Sequence, residues 1–393
     1  MLVPVYQKEK CCGCYSCVQV CPKRSITMQE DAMGFFYPVV DSTTCVECGL
    51  CEKVCPSMNV KEPRIPVVSF AARNADDNIR LQSSSGGVFS QIADSIIESG
   101  GVVFGVRFNE RFEAQFSYAE MKEEVARFRC SKYVQASVGE TFKQVKGFLS
   151  TGRKVLFSGT PCQVMALKLF LGKEYDNLLT IDFICHGVPS PKVWKDYLAE
   201  LLGKNSLQLS DVVAVSFRDK SEGWKNYSLS IDTCSKINYR GNKQKDLYLR
   251  SFIHGLTLRP TCFSCPSRSG RSGSDVTLAD FWGVERFFPN RTDDKGDSVV
   301  LCYNNKFADL GIVLDNVELI SVDQVVRMNP TLIKNERKPD NYDLFWREYG
   351  GSLPLSELMD KYARYSLRER VRYSIVNLLC KMHLVPLLKK LLK

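Results

Sequence analysis

Hydrophobic residues along the middle of the chain fall into two alternating patterns. Short, nearly continuous apolar runs are typical of strands buried on both faces, and apolar positions three or four residues apart are typical of amphipathic helices. The first pattern predicts strands over 66–72, 102–108, 154–158, 178–185, 212–217 and 227–231. The second predicts helices over 88–97, 141–149, 161–171 and 191–202. This alternation predicts a mixed α/β domain, which we place at 67–340.

The two ends of the chain depart from this alternation. Residues 1–60 are dense in cysteine, and the segment 61–66 (KEPRIP) has two prolines and alternating charge, which predicts a linker. Near the other end, apolar residues recur at three- and four-residue steps between arginines, which predicts a basic amphipathic helix within a tail at 341–393. The apolar stripe consists of Leu367, Val371, Ile375, Leu378 and Met382, and Pro386 ends it.

Charge and composition narrow the class of protein. Of 393 residues, 25% are charged and 44% are hydrophobic, which is ordinary for a soluble globular protein. The net charge is +9, but residues 361–393 hold nine Lys and Arg against one acid, so the rest of the chain carries +1. This distribution argues against nucleic-acid binding. The basic tail fits docking on a membrane surface or a partner protein, and packing on its own domain is equally open.

Export and membrane signals are not visible in the sequence. The N-terminus lacks the apolar stretch of a signal peptide, and no run approaches the roughly 18 uninterrupted apolar residues of a membrane span. We therefore predict a cytoplasmic protein, at the inner membrane surface if the tail docks there. The sequence contains 17 cysteines. Because cytosolic thiols are kept reduced, so many cysteines indicate metal binding or redox chemistry.

Eight of the cysteines form one motif that occurs twice. Each copy reads C-x2-C-x2-C-x3-C-P, the spacing of bacterial two-cluster ferredoxins, in which three thiolates hold one 4Fe–4S cube and the fourth reaches the other. Zinc sites rarely use this spacing, so we interpret the segment as a ferredoxin-like module with two 4Fe–4S clusters. Cys12 falls outside the motif and is interpreted as a bystander thiol. The first cluster is assigned to Cys11, Cys14, Cys17 and Cys55, and the second to Cys45, Cys48, Cys51 and Cys21.

Four further cysteines stand at positions suited to one more site. Ligands at two strand ends plus a CxxC pair can converge at the mouth of a sheet. Buried free cysteines are also common in protein cores, and spacing alone leaves both interpretations open. The four are Cys162 in a predicted strand-to-helix turn, Cys185 at the end of a predicted strand, and the pair Cys262 and Cys265.

One loop has features of a phosphate site, although the sequence contains no G-x-G-x-x-G or Walker motif. Residues 83–87 (SSSGG) run directly into the helix predicted at Val88. Backbone amides at a helix start, with glycines that permit close approach, suit a pyrophosphate. A plain capped turn accounts for the loop equally well.

Several short motifs in one order make residues 67–328 similar to the beta subunit of coenzyme F420 hydrogenase/dehydrogenase. The ferredoxin-like segment in front resembles the longer members of that family, in which such a module is fused to the flavin domain. The motifs are SSSGGVF (83–89), SKYVQ (131–135), GTPCQ (159–163), CHGVPS (185–190), CxxC (262–265) and DVTLADFWG (275–283).

The resemblance implies an FAD-binding domain with a 4Fe–4S cluster beside the flavin. The family's cluster ligands match Cys162, Cys185, Cys262 and Cys265, so a third cluster is expected there, and the five remaining cysteines are expected to be structural. His186 is expected to hydrogen-bond a cluster sulfide or the flavin, and a hydrogen bond to local backbone stays an open alternative. Trp282 is expected to shape the flavin pocket, and a core or interface position stays an open alternative. The residues expected to contact the flavin are Ser84, Ser85, Gly86, Gly87, Lys132, Tyr133, Gly159, Thr160, Gln163, His186 and Asp280.

Together these features predict an iron–sulfur flavoprotein oxidoreductase that couples one-electron transfer through clusters to hydride transfer at FAD. Its expected partner is a redox protein or a soluble hydride carrier such as a deazaflavin, and the sequence does not fix the direction of electron flow. Two alternatives stay open. One is a non-catalytic electron-transfer subunit that relays electrons to a partner enzyme, and the other is a scaffold in a biosynthetic complex.

Overall fold

A computed structural model describes residues 7–235 and 238–365. Within them, a small cysteine-rich unit precedes a larger α/β unit. The strands are β1 Ile26–Glu30, β2 Phe36–Val40, β3 Val68–Ala72, β4 Val102–Phe108, β5 Ala114–Ala119, β6 Val155–Ser158, β7 Leu178–Phe183, β8 Val212–Asp219, β9 Ser228–Thr233, β10 Tyr239–Asn242, β11 Val276–Asp280, β12 Ser298–Cys302 and β13 Glu318–Leu319. The helices are α1 Ser16–Val20, α2 Leu50–Lys53, α3 Asp77–Leu81, α4 Val88–Glu98, α5 Lys122–Val125, α6 Thr141–Ser150, α7 Pro161–Leu171, α8 Pro191–Lys204, α9 Leu247–Ile253, α10 Lys306–Asp309, α11 Val322–Met328, α12 Tyr342–Glu348 and α13 Leu355–Tyr362.

The centre of the α/β unit is an eight-stranded sheet in the order β13-β3-β12-β11-β7-β6-β4-β5. Its four middle strands, β11, β7, β6 and β4, run parallel to one another, and the flanking strands β12 and β5 are antiparallel to them. The parallel strands therefore place their carboxyl ends along one edge of the sheet, where open α/β sheets bind their ligands. Another sheet, β10-β9-β8, and the hairpin β1-β2 are antiparallel.

Both faces of the large sheet are covered, which explains the continuous apolar runs of its middle strands. On β4, Val103 packs in one hydrophobic cluster with Ile92 and Ile96 of α4. Its neighbours Val102 and Phe104 belong to a second cluster, which also holds apolar residues of α6, α7 and α8. Because successive strand residues point to opposite faces, Val102, Val103 and Phe104 contribute to cores on both sides of the sheet.

The mixed α/β architecture predicted from the hydrophobic pattern is confirmed, and β4 and α7 have the predicted bounds. β7 ends at Phe183 and not at 185, so Cys185 lies in the loop beyond the strand. The strands β5, β11 and β12 lie outside the predicted elements. Each has only five or six residues, and their pairing partners supply the context that a short local pattern lacks.

The cysteine-rich unit is joined to the α/β unit by polar contacts. Ser16 of α1 donates a hydrogen bond to the carbonyl oxygen of Ala166 in α7 at 3.4 Å. Gln19 of the same helix accepts one from the backbone nitrogen of Phe142 in α6 at 2.9 Å. Because hydrogen bonds are directional, these contacts fix the relative orientation of the two units.

The predicted linker at 61–66 has no regular secondary structure, but it is held in place. The backbone nitrogen of Arg64 donates to the carbonyl oxygen of Ser269 at 3.0 Å. The Arg64 guanidinium donates to the carbonyl oxygen of Ser274 at 3.0 Å and lies over the ring of Tyr303 at 4.9 Å. The connection is therefore part of the α/β surface.

The first part of the predicted tail packs on the α/β unit. Phe345 of α12 and Met359 of α13 are fully buried in its core. Arg250 of α9 donates to the carbonyl oxygen of Ala363 at 2.9 Å. The predicted apolar stripe that begins at Leu367 lies outside the described residues. In the part of the chain that the structure describes, no helix has the length and apolar character needed to cross a bilayer.

Candidate functional site

Four cysteines of the double motif surround a small cavity inside the cysteine-rich unit, which we call the ferredoxin cavity. Its volume is about 20 Å³, and Met28 of β1 and Pro38 of β2 form part of its wall. Positive φ angles of 66° at Gly13 and 63° at Tyr15 bend the backbone between the cysteines. Its wall contains the buried cysteines Cys11, Cys14, Cys17 and Cys55, which are the set predicted to hold the first cluster, and also Cys12.

The second set of the motif lies at the surface of the same unit. Cys48 is exposed, and Cys21, Cys45 and Cys51 are half-buried. Cys21 and Cys51 pack in one cluster with Cys17 of the first set. The two sets are therefore neighbours, and a redox partner in solution can approach the second set more closely than the first.

The four further cysteines line another cavity, of about 50 Å³, which we call the middle cavity. Thr160 and Gln163 form a capping box that starts α7 and fixes the cysteine in its first turn. The loop after β7 supplies a second cysteine, the 3-10 helix Pro260–Ser264 carries Cys262, and Cys265 follows directly after that helix. All four, Cys162, Cys185, Cys262 and Cys265, lie in its wall, together with Cys12.

Burial disfavours the thiolate forms of these four cysteines. It raises the pKa of Cys262 to about 12 and that of Cys265 to about 11, and it also raises the pKa of Cys185. A hydrogen bond with Cys12, together with burial, raises the pKa of Cys162. In the described residues no group of three His, Cys, Asp or Glu side chains is arranged for a single metal ion. Four half-buried thiols around one cavity, which need cationic compensation as thiolates, fit a 4Fe–4S cluster.

Cys12 lies between the ferredoxin cavity and the middle cavity and lines both. The sequence spacing places it outside the motif, and the structure gives it a central position. A hydrogen bond with Cys14 raises the pKa of Cys12. Cys12 also forms a hydrogen bond with Cys162 on its other side. One residue therefore forms the common wall of the two cavities. Spacing cannot reveal this position, because the contact with Cys162 is made across the interface of the two units.

A third and larger cavity, of about 500 Å³, opens at the carboxyl ends of the parallel strands. Its volume lies within the roughly 300–1,000 Å³ typical of cofactor pockets. This large cavity shares Thr160, Cys185 and Gly187 with the middle cavity, so the two adjoin. Ten of the residues predicted to contact a flavin line it, namely Ser84, Ser85, Gly87, Lys132, Tyr133, Gly159, Thr160, Gln163, His186 and Asp280.

Gly86, the remaining predicted contact, is not in the wall of the large cavity. It packs against the sheet, where a Cβ atom would lie 2.8 Å from the carbonyl oxygen of Ala72 and from the nitrogen of Ser298. Its own nitrogen donates to Ser298 Oγ at 3.0 Å. Gly87, with φ 79°, then begins the turn into α4, as the sequence predicts. Gly86 thus lets the loop approach the sheet closely, and its neighbours face the cavity.

A buried arginine in the wall of the large cavity escaped the sequence analysis. Arg218 of β8 forms a two-pronged salt bridge with Asp280, with Nη1–Oδ2 at 2.9 Å and Nη2–Oδ1 at 3.1 Å. It also donates to Tyr133 Oη at 3.0 Å and to the carbonyl oxygen of Ser84 at 2.7 Å. Arg218 therefore ties together three predicted flavin contacts. The one sequence signal for Arg218 is its position just after a predicted strand. This position does not distinguish a buried arginine from a surface one.

Lys132 brings positive charge to the same cavity. Its ammonium group donates to the carbonyl oxygens of Arg127 at 2.9 Å and Arg129 at 2.7 Å. Burial lowers its pKa to about 8. A bound anion would stabilise the charged form, so this part of the wall fits a phosphate or a reduced ring.

His186 and Trp282 complete the wall. His186 Nε2 lies 3.0 Å from the carbonyl oxygen of Phe252, and its Nδ1 lies 3.2 Å from Glu336 Oε1. The hydrogen bond to backbone, which the sequence left open, is present, but its acceptor is distant in sequence. Trp282 lines the large cavity and stacks on Trp224 with ring centroids 4.5 Å apart.

Comparisons with known proteins agree with this division of the chain. Residues 69–143 match the family model for the N-terminal part of the coenzyme F420 hydrogenase/dehydrogenase beta subunit, and residues 152–325 match the model for its C-terminal part. Residues 10–59 match a 4Fe-4S dicluster domain. No curated protein matches the chain. A chain in a structure titled as a xenon derivative of the F420-reducing NiFe hydrogenase complex from Methanosarcina barkeri is similar in fold, with 15% identity and a TM-score of 0.44 over 80% of this chain and 96% of that one.

Proposed function

The chain belongs to the coenzyme F420 hydrogenase/dehydrogenase beta-subunit family, and on that premise we propose that it is an electron-transfer subunit whose clusters exchange electrons with FAD in the large cavity. When bound, 4Fe–4S clusters supply one-electron steps and FAD supplies hydride transfer. The partner at the surface is a redox protein, and the partner at the flavin is a soluble hydride carrier such as a deazaflavin.

The row of three adjoining cavities carries this proposal. The ferredoxin cavity and the middle cavity share Cys12, and the middle cavity and the large cavity share Cys185. The exposed second cysteine set, with Cys48, adjoins the first. The residues thus run without interruption from the protein surface to the carboxyl edge of the sheet, which is the arrangement that electron transfer between clusters and a flavin requires.

The residues around the large cavity suit FAD for separate reasons. The loop of Ser84 and Ser85 leads into α4, where free backbone amides favour a pyrophosphate. Lys132 adds positive charge, and Arg218 holds Tyr133, Ser84 and Asp280 in place. Trp282 offers an apolar face for a ring system. The role of these residues is to bind and orient FAD. Electron transfer itself needs none of them as a proton donor.

A relay without flavin is the second candidate function. The 4Fe-4S dicluster domain and the exposed Cys48 suffice for electron transfer to a partner enzyme. The large cavity would then hold some other ligand, or take part in docking. Iron and flavin content separate the two functions directly.

Anaerobically purified protein is expected to contain about twelve iron atoms and about one FAD per chain. Reduction by a one-electron donor should bleach both cluster and flavin absorbance. About eight iron atoms and no flavin, even after incubation with FAD, would contradict the third cluster and the hydride chemistry and leave the relay. Zinc in place of iron would contradict electron transfer altogether.

The affinity for FAD is expected to fall as the pH rises through about 8, because Lys132, whose pKa is lowered to about 8, then loses its charge. Its charged form is the one that an anionic ligand stabilises, so the dissociation constant should rise by up to about tenfold per pH unit above 8. Fluorescence titrations with FAD between pH 7 and pH 9.5 measure this. Lys132→Met should bind more weakly at pH 7 and show a flat profile, and Lys132→Arg should bind tightly with a flat profile. A wild-type profile that Lys132→Met leaves unchanged would assign the effect to another group.

A further inference from the structure

Arg259 carries a positive charge into the interior, at the interface of the cysteine-rich unit and the α/β unit. The residue has 0% exposure and stands directly before the 3-10 helix that carries Cys262. Its Nε donates to the carbonyl oxygen of Cys11 at 2.6 Å, and Nη2 donates to that of Phe36 at 2.9 Å. Nη1 donates to Gln135 Oε1 at 3.0 Å. All three acceptors are neutral, and no Asp or Glu of the described residues forms an ion pair with this guanidinium.

The loop of the first cysteine set is shaped around this arginine. Gly13 has φ +66°, and a Cβ atom there would lie 2.8 Å from Arg259 Nη1. Gln135, which the guanidinium holds, donates from Nε2 to the carbonyl oxygen of Cys12 at 3.1 Å. The ring of Tyr37 lies 4.1 Å from the guanidinium carbon and closes the other side. The charge is therefore fixed against the wall that separates the ferredoxin cavity from the middle cavity.

A buried cation without an anionic partner is strongly unfavourable, so the protein is expected to place negative charge beside it. Thiolate-ligated 4Fe–4S clusters supply such charge, and it grows when a cluster takes up an electron. Arg259 adjoins Cys11 in one cysteine set and Cys262 in another. None of its hydrogen bonds reaches the surface set with Cys45 and Cys48.

We propose that Arg259 is a positioning residue that balances the negative charge of two clusters at once, one in the ferredoxin cavity and one in the middle cavity, and thereby raises the reduction potentials of both. The inference rests on the proposed function in that both cavities hold clusters. The surface cluster keeps its potential independently of Arg259. The same side chain that joins the two units thus makes the two inner clusters easier to reduce than they would otherwise be.

The test compares reduction potentials in the full chain loaded with clusters, by anaerobic redox titration followed by electron paramagnetic resonance. Arg259→Gln should make both inner clusters harder to reduce, by at least about tenfold in the equilibrium constant, which is 59 mV for a one-electron couple. The surface cluster should change by less than about threefold, since surface charges are screened. Arg259→Lys, which keeps the charge, should stay within about threefold of the wild type at all three clusters. Cys262→Ala and Cys48→Ala variants assign the signals.

Lys8 offers a matched control. Its ammonium group lies over the same Tyr37 ring at 4.5 Å, but its side chain is 53% exposed. Lys8→Gln should therefore leave the potentials unchanged, because water screens its charge. Equal shifts in Lys8→Gln and Arg259→Gln, or a shift of all three clusters together, would overturn the proposal. So would fully loaded Arg259→Gln protein with both inner potentials within about threefold of the wild type.

A second pair of variants applies if Arg259→Gln protein does not assemble. Gln135→Glu leaves the arginine and its hydrogen bonds in place and adds a negative charge 3.0 Å from Nη1. It should lower both inner potentials, whereas Gln135→Met, which loses the same amide donor without adding charge, should not. Equal behaviour of the two variants would overturn the proposal. The wild-type iron content tests the proposed function separately, because fewer than about twelve iron atoms per chain contradicts the third cluster and says nothing of Arg259.

Discussion

Cys262→Ala protein is expected to retain about eight of about twelve iron atoms per chain. The substitution removes one of the four proposed ligands in the middle cavity, and a 4Fe–4S cube of this type takes four cysteine thiolates. The two clusters of the ferredoxin-like module have their own eight cysteines and should persist. Iron and sulfide analysis, with absorbance spectra before and after reduction, measures the loss.

The rate of flavin reduction should fall by a larger factor than the iron content of the protein. Disturbing the surroundings of a metal site already costs about 10–100-fold, so losing a ligand between the ferredoxin cavity and the large cavity should slow flavin reduction at least about 100-fold. The rate is measured by stopped-flow reduction through the surface cluster. Cys302→Ala is the control, because Cys302 is also a free cysteine of the α/β unit, buried in β12 and outside all three cysteine sets. If Cys302→Ala loses the same iron, or Cys262→Ala loses none, the middle cavity is not a cluster site.

Arg218→Met is expected to lower the free energy of unfolding by about 3–5 kcal/mol, because it leaves the carboxylate of Asp280 without its partner. Arg218 has a side-chain exposure of 2% and Asp280 of 18%, so little water can replace the lost contact. The hydrogen bonds to Tyr133 and Ser84 disappear as well, and FAD affinity should fall by roughly tenfold or more. Thermal midpoints under fixed anaerobic conditions and FAD titrations measure the two effects.

The double variant Arg218→Met/Asp280→Asn separates charge from shape. Removing the orphaned carboxylate should recover much of the lost stability, since a neutral pair costs less to bury than a single charge. FAD affinity should remain low, because Tyr133 and Ser84 still lack their donor. An additive result, in which the double variant is less stable than either single variant, would mean that the salt bridge is not what stabilises this wall.

Most of the residues that line the three cavities could be predicted from the sequence. Cysteine spacing is short-range information, so the first set could be assigned from the motif alone, and the same four cysteines line one cavity. The family motifs likewise named ten residues that line the large cavity. Such motifs are informative because their residues are close together in sequence, as in the capping box of Thr160 and Gln163.

Contacts between residues that are far apart in the sequence could not be predicted from the sequence alone. Cys12 and Arg259 acquire their positions from the interface between the cysteine-rich unit and the α/β unit, and Arg218 from the approach of β8 to β11 and the loop of Ser84. A single buried cation looks like any surface arginine until its neighbours are known. Gly86 is a different case. The motif that contains it was recognised in the sequence, but Gly86 contacts the sheet and not the large cavity.

On the proposed function, the burial of the first cysteine set sets an order of maturation. Cys11 accepts a hydrogen bond from Arg259 at the interface of the two units, and Cys14 packs in the core of the α/β unit, whereas Cys48 is exposed. We therefore expect iron and sulfide to enter the inner sites before the two units dock, and the surface site to be fillable afterwards. We expect oxidative damage in the reverse order. Oxygen should reach the cluster proposed at the exposed set first, and that cluster could be rebuilt on a folded chain, whereas repair of an inner cluster would require the two units to separate.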